Sequence, residues 1–162
     1  MANSTGHQLA QSVRWRIDEL KAVCEGLDEN AASRAPEGRW SPKEILSHLW
    51  GRKEADYLQI LQACLAMEKP MIEIEPGKSF YSEVRARMTF SQLLSNVVQE
   101  YNQIAEFAEV LSEEQLDRKT HIPMLKESPL GEHPTLEQMV SALGDFHFKS
   151  HIDHLRELLK KV

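Results

Sequence analysis

Histidine is the residue type in this sequence whose number and spacing ask for chemistry. The 162-residue chain carries seven, and three of them fall in the run Phe146-His147-Phe148-Lys149-Ser150-His151-Ile152-Asp153-His154. On a helix, positions i, i+4 and i+7 lie within a sector of roughly 60°. The same sector holds Val140, Leu143 and Leu158, while Asp145, Lys149 and Arg156 lie opposite. The three imidazoles are therefore expected to face a packed interior, where an unpaired polar ring is costly. Hydrogen bonding inside the core is the plain way to satisfy such a ring. Metal ligation is the sharper one, because two imidazoles at i and i+4 reach a single ion, the spacing that HExxH sites use.

Two ligands make a weak site, so a third has to come from another element. His48 is the best placed, inside a second helical segment. His7 lies near the chain start, and His121 and His133 fall in irregular connections. The side of the helix around His48 carries Glu44, Gly51, Arg52, Ala55 and Gln59, which suits a cleft and a solvated surface equally. Glu44 and Arg52, one turn either side of His48, read first as solvated surface residues and second as substrate anchors. Three neutral imidazoles would leave coordination positions open, as catalytic sites do and structural ones do not. Imidazole suits zinc, nickel, iron and copper, so the donor type does not choose among them.

Four long elements have to position these residues. Leu9, Val13, Ile17, Leu20, Cys24 and Leu27 recur at helical spacing and predict a helix over about 7–27. Trp40-Ser41-Pro42-Lys43-Glu44 is the clearest helix start: Ser41 as cap, Pro42 at the first position, Glu44 closing a capping box. This helix is expected to run unbroken to about Met67. A third is predicted over about 91–111, on the stripe Leu94, Val97, Val98, Tyr101, Ile104, Ala105, Ala108 and Leu111. Ser112-Glu113-Glu114-Gln115 reads as the start of a short turn. The fourth helix is predicted from Thr135 to about Lys160, with Lys160 and Lys161 suiting the helix dipole. Residues 70–88 form a connection too long for antiparallel neighbours and suit a crossover between helices running the same way. Met71-Ile72-Glu73-Ile74 alternates too briefly for a sheet strand. Trp15 and Trp50 read first as core packing and second as contact surface. The fold class is all-α: a four-helix bundle in one domain spanning residues 1–162.

Composition narrows the function. Nineteen Lys and Arg against 25 Asp and Glu give a net charge of −6, which argues against a nucleic-acid binder working through a basic face. No apolar run approaches the roughly 20 residues of a membrane span. Residues Met1 to His7 show no basic stretch followed by an apolar one, so no signal peptide is expected and the location expected is cytoplasmic. Cys24 and Cys64, widely spaced in apolar helical context, read as reduced, buried packing residues.

Two segments resemble a known family. Trp40-Ser41-Pro42-Lys43-Glu44-Ile45-Leu46-Ser47-His48-Leu49 is similar to the "WSxxEilxHL" segment of the DinB/YfiT-like proteins, and His147-Phe148-Lys149-Ser150-His151-Ile152-Asp153-His154-Leu155 resembles their C-terminal "HxxxHlxqi" segment. Leu111-Ser112-Glu113-Glu114-Gln115-Leu116 resembles the "LteeqL" stretch before their last helix. The resemblance spans about residues 7–160, with the motifs in order. It implies an up-down-down-up bundle, commonly a homodimer, holding a divalent metal through His48, His147 and His151, with zinc or nickel first among the metals. His154 stands where the family often has Gln, and is read as a neighbour of the ligands. Relatives include thiol-dependent enzymes, so the resemblance implies a metal-dependent transferase or hydrolase acting on a small molecule, with a low-molecular-weight thiol as the cosubstrate a transferase would use. The alternative is a non-enzymatic ligand-binding or stress-resistance bundle.

Overall fold

The structure is a computed structural model and describes residues 4–160, so Lys161 lies outside the described residues. The elements in chain order are α1 (Ser4–Cys24), α2 (Glu29–Ala32), α3 (Pro42–Trp50), α4 (Tyr57–Ala66), α5 (Glu83–Arg87), α6 (Phe90–Glu109), α7 (Glu113–Leu116), α8 (Leu136–Ser141) and α9 (Lys149–Lys160). A π-helical segment, Ala142–Phe148, joins α8 to α9 without a break. Four rods result: α1; α3 with α4; α6; and α8 through α9.

Side-chain pairs across the rods fix their directions. His7 near the start of α1 meets Glu109 at the end of α6 at 3.1 Å, and Glu29 just beyond α1 accepts from Phe90 N at the start of α6, so these two are antiparallel. Ser12 donates to Asp145 at 2.6 Å and Arg156 to Glu19 at 3.0 Å, so α1 and the last rod are parallel. Lys43 Nζ donates to the Ala86 carbonyl just before α6 at 3.1 Å, and Leu58 N donates to Glu100 Oε1 at 3.0 Å, so the second and third rods are parallel too. The bundle is up-down-down-up. Its parallel neighbours require the crossover that residues 67–89 supply.

The apolar stripes account for the packing. Ala10, Val13, Ile17, Leu20 and Cys24 are all buried along α1. On α6 the buried apolar set is Phe90, Leu93, Val97, Tyr101, Ile104, Ala105 and Ala108, so the stripe begins at Phe90 and Leu93 and Leu94 lies at its margin. Capping boxes start α3 (Ser41 with Glu44), α6 (Thr89 with Gln92) and α8 (Thr135 with Gln138). Cys24 and Cys64 are free and buried. Among the described residues no strand forms, and the single bridges Met71 to His121 and Lys119 to Thr135 are the nearest approach to one. No described helix is long and apolar enough to cross a membrane.

Three sequence expectations are corrected. The second helix is not continuous to Met67. It stops at Gly51, whose φ of 87° and ψ of −173° are open essentially to glycine alone, and restarts where Asp56 caps α4 in a second capping box with Gln59. Tyr57 packs directly against Gly51, filling the space a side chain there would need. The last helix is not uniformly α. From Leu136 to Ile152 its buried residues (Leu136, Val140, Gly144, Phe148 and Ile152) recur every four positions, and the wider π turn keeps them on one side where 3.6-residue turns would drift. Trp15 is not a core residue: it is 59 % exposed, with the Arg16 guanidinium 4.5 Å over its ring.

Candidate metal centre

His48 is the seventh residue of α3, three residues before the glycine stop. The capping box and Pro42 fix where that helix begins, and so fix which way His48 points. Opposite it, the π segment carries His147 and the first turn of α9 carries His151. The π turn makes this placement compatible with the core: Phe148 and Ile152 take the fully buried positions, and the two histidines sit half-buried beside them, turned to α3.

The three rings converge. His48 Nε2 and His147 Nε2 are 2.9 Å apart, and one ring nitrogen from each of His48, His147 and His151 lies within 4.8 Å of the others. Ring centroids are 4.9 Å apart for His48–His147, 4.5 Å for His48–His151 and 4.9 Å for His147–His151. His48 Nδ1–H donates to the Lys78 carbonyl at 2.6 Å, which leaves Nε2 with its lone pair facing the cluster. Metal-bound histidines are commonly oriented by such a bond on the far nitrogen.

The cluster favours neutral rings. Burial, then the neighbouring His151 and His48, hold His147 down to about 3. Burial, then His48 and His154, hold His151 down to about 4. Burial also lowers His48, opposed by the Lys78 carbonyl. Neutral imidazole is the form that ligates metal. Nδ1 of His147 and Nδ1 of His151 are buried without a hydrogen-bond partner in the protein. Three converging neutral imidazoles, two with buried nitrogens left unpaired, fit a divalent cation of the kind that takes nitrogen donors.

Aromatic rings surround the cluster. Trp40 lies 5.0 Å from His48 and stacks on His151 at 6.2 Å. Phe80 stacks on His48 at 6.2 Å with planes 3° apart, and Tyr57 meets His147 edge-on at 5.4 Å. Phe80 holds a φ of 56°, strained for an aromatic residue, and such strain persists where the surroundings enforce it. The crossover therefore does more than connect two helices: its 78–80 stretch orients His48 and covers it.

All three histidines singled out from the sequence meet at this point. His154 is 6.3 Å from His151 by ring centroid and stands outside the converging set, as a neighbour. Glu44 is engaged in the capping box, its Oε1 accepting from Ser41 N at 3.2 Å. Arg52 reaches Glu75 at 4.0 Å, and both are half-exposed. The sequence reading missed Lys78, Phe80 and Tyr57. Lys78 acts through its backbone and Phe80 lies in an irregular segment, so neither carries a periodic signal. Tyr57 opens α4, so its place beside His147 depends on the break at Gly51.

Solved structures share this four-rod fold, which is the DinB/YfiT-like bundle. YfiT from Bacillus subtilis, described as a probable metal-dependent hydrolase with an unusual four-helix bundle topology, superposes with a TM-score of 0.80 over 99 % of this chain and 89 % of its own, at 19 % identity. An uncharacterised protein from Clostridium difficile 630 matches with a TM-score of 0.71 over 100 % of this chain and 99 % of its own, at 13 % identity. A protein from Streptococcus pneumoniae matches with 0.67 over 99 % and 93 %, at 14 % identity. No family model matches the sequence, and no curated protein matches it either. The likeness is one of fold.

Proposed function

We propose that the chain is a divalent-metal-dependent enzyme, a hydrolase or a transferase, that acts on a small molecule at His48, His147 and His151. The convergence of three ring nitrogens from α3, the π segment and α9 carries this reading. The description of YfiT as a probable metal-dependent hydrolase supports it. Zinc or nickel suits the all-imidazole donor set. A divalent ion bound there supplies Lewis acidity and lowers the pKa of a water or thiol that joins it.

The chain's own residues have clear parts in this reading. Lys78 holds His48 in the ligating tautomer. Trp40 and Phe80 offer flat apolar surfaces beside the cluster for an unreactive part of the substrate. Neither cysteine can serve as the nucleophile: burial pushes Cys24 up to about 12 and Cys64 up to about 11, and the thiolate is the reactive form. The nucleophile therefore comes from outside, as water in a hydrolase or as a low-molecular-weight thiol in a transferase. A cytoplasmic location and a homodimer complete the proposal.

Size-exclusion chromatography of tag-free protein, with elemental analysis of the eluted peak and a His151→Ala control, tests the reading. The expected peak runs at twice the chain mass and contains zinc or nickel that His151→Ala has lost from this cluster. A chain that takes up no divalent ion after incubation with zinc and with nickel refutes the enzyme reading and favours a ligand-binding bundle.

A further inference from the structure

A second group of metal-ligating side chains lies outside the bundle core. The connection between α7 and α8 folds back on itself: Ile122 N donates to the Glu132 carbonyl at 2.7 Å and Thr120 N to the Pro134 carbonyl at 3.0 Å. This antiparallel pairing sets His121 directly opposite His133, with ring centroids 4.9 Å apart. The Glu132 carboxylate reaches both rings, at 3.5 Å from His121 Nε2 and 3.9 Å from His133 Nε2. One donor atom from each of the three lies within 4.8 Å of the others.

We propose that His121, Glu132 and His133 form a second divalent-metal site, which takes zinc and clips the connection that leads into the last helix. Three observations carry it. First, the 3.5 Å from His121 Nε2 to Glu132 is close to the roughly 3.3–3.4 Å edge of a tetrahedron built with zinc–ligand bonds of about 2.0–2.1 Å, and the 3.9 Å from His133 Nε2 needs only a small side-chain adjustment to reach it. Second, the backbone is already fixed. His121 N donates to the Pro70 carbonyl at 3.0 Å and the His121 carbonyl accepts from Ile72 N at 2.9 Å, so His121 is held from both sides by the crossover and by the 132–135 stretch. Third, His133 Nδ1–H donates to the carbonyl of fully buried Thr120 at 3.1 Å. That bond orients the ring as in metal-ligating histidines and leaves Nε2 with its lone pair facing a carboxylate oxygen. A lone pair and a carboxylate repel. A cation between them turns the repulsion into two bonds, and a second proton on the ring is the competing remedy. All three side chains are half-exposed, so the ion needs no opening of the fold to enter.

The site's role is structural. It would close the Pro123–Gly131 loop immediately ahead of Thr135, the residue that caps α8 and so sets the start of the helix bearing His147 and His151. The inference is independent of the three-histidine cluster, since the two groups share no residue.

Zinc titration by equilibrium dialysis and by calorimetry, on chelator-stripped wild type, His121→Ala, Glu132→Gln and His151→Ala, tests the proposal. Wild type is expected to bind one more zinc than His121→Ala, with Glu132→Gln at least tenfold weaker at that site. His151→Ala keeps the second zinc and a zinc-induced rise in Tm, and the double variant His121→Ala/His151→Ala lacks both. Circular dichroism in chelator checks that each variant folds, and Glu132→Gln preserves side-chain shape where His121→Ala does not. Equal zinc stoichiometry and equal Tm rise in wild type, His121→Ala and Glu132→Gln overturn the proposal. Failure of the three-histidine cluster shows separately, as unchanged stoichiometry in His151→Ala.

Discussion

His147 is the residue where burial and chemistry conflict most. Its ring sits among His48, His151 and Tyr57, and burial with two neighbouring imidazoles holds its pKa at about 3. An unfolded histidine titrates near 6.5. Above that pH both folded and unfolded chains hold the ring neutral, so it adds no pH dependence. Below it the unfolded chain binds the proton first, and stability falls as pH drops towards the folded value. His151, at about 4, acts in the same direction over a narrower range. Glu100 acts in the opposite direction. Burial raises it to about 7, so the fold gains from its protonation as pH falls from 7 towards the usual carboxylate range. The wild-type curve is a sum of these, and the difference from a variant isolates one group. In chelator, His147→Gln is expected to lose less stability than wild type between pH 6.5 and 4.5, by roughly 1–2 kcal/mol at the lower end. Urea midpoints measured across that range check this. Parallel curves would show that protons reach His147 in the folded chain.

The break in the second rod belongs to the scale of elements. Gly51 ends α3 in a conformation restricted to glycine, with the Tyr57 ring 3.2 Å from where a Cβ would stand. Gly51→Ala should therefore cost on the order of 1–3 kcal/mol, and it should also displace Tyr57, whose hydroxyl donates to the His48 carbonyl at 3.1 Å. Thermal unfolding reads the first effect, and a weaker affinity for zinc at the His48 cluster reads the second. A variant as stable as wild type would mean that the break is not enforced by Gly51. This break also shows where the sequence is legible. Ser41, Pro42 and Glu44 announce the start of α3 because capping is a local act, and the α1 stripe is plain because Ala10, Val13, Ile17, Leu20 and Cys24 face one core. The stop at Gly51 is harder to read, since an isolated glycine in apolar helical sequence is usually tolerated and only the packing of Tyr57 makes it a terminus. The π turn leaves no periodic mark either, because an α-helical reading of residues 142–148 already brings His147 and His151 to one face. The candidate ligands were legible for that reason. The Lys78 carbonyl and the Phe80 ring were not, because their place depends on how the crossover lies across α3.

At the scale of the molecule, the histidine cluster joins rods that the chain brings together late. α3 and α9 are separated by two connections and by α6, and they meet beside the cluster with His48 on one and His151 on the other. The 78–80 stretch of the crossover is tied to the same point through His48. An ion bound there would link three separate parts of the fold and would bind the folded chain far better than the unfolded one. Free energy then follows mass action: at about 1,000 times the dissociation constant, one bound ion stabilises by about 4.1 kcal/mol. For a chain of this size each kcal/mol moves Tm by about 2–4 °C. Zinc at that excess is therefore expected to raise Tm by about 10 °C, measured in the His121→Ala background so that the outer site does not contribute. His151→Ala in the same background should show almost none of this rise. An equal rise in both proteins would place the stabilising ion elsewhere. No rise in either would mean that the three imidazoles stabilise the bundle as packed neutral rings, and that the up-down-down-up topology stands without a metal at its centre.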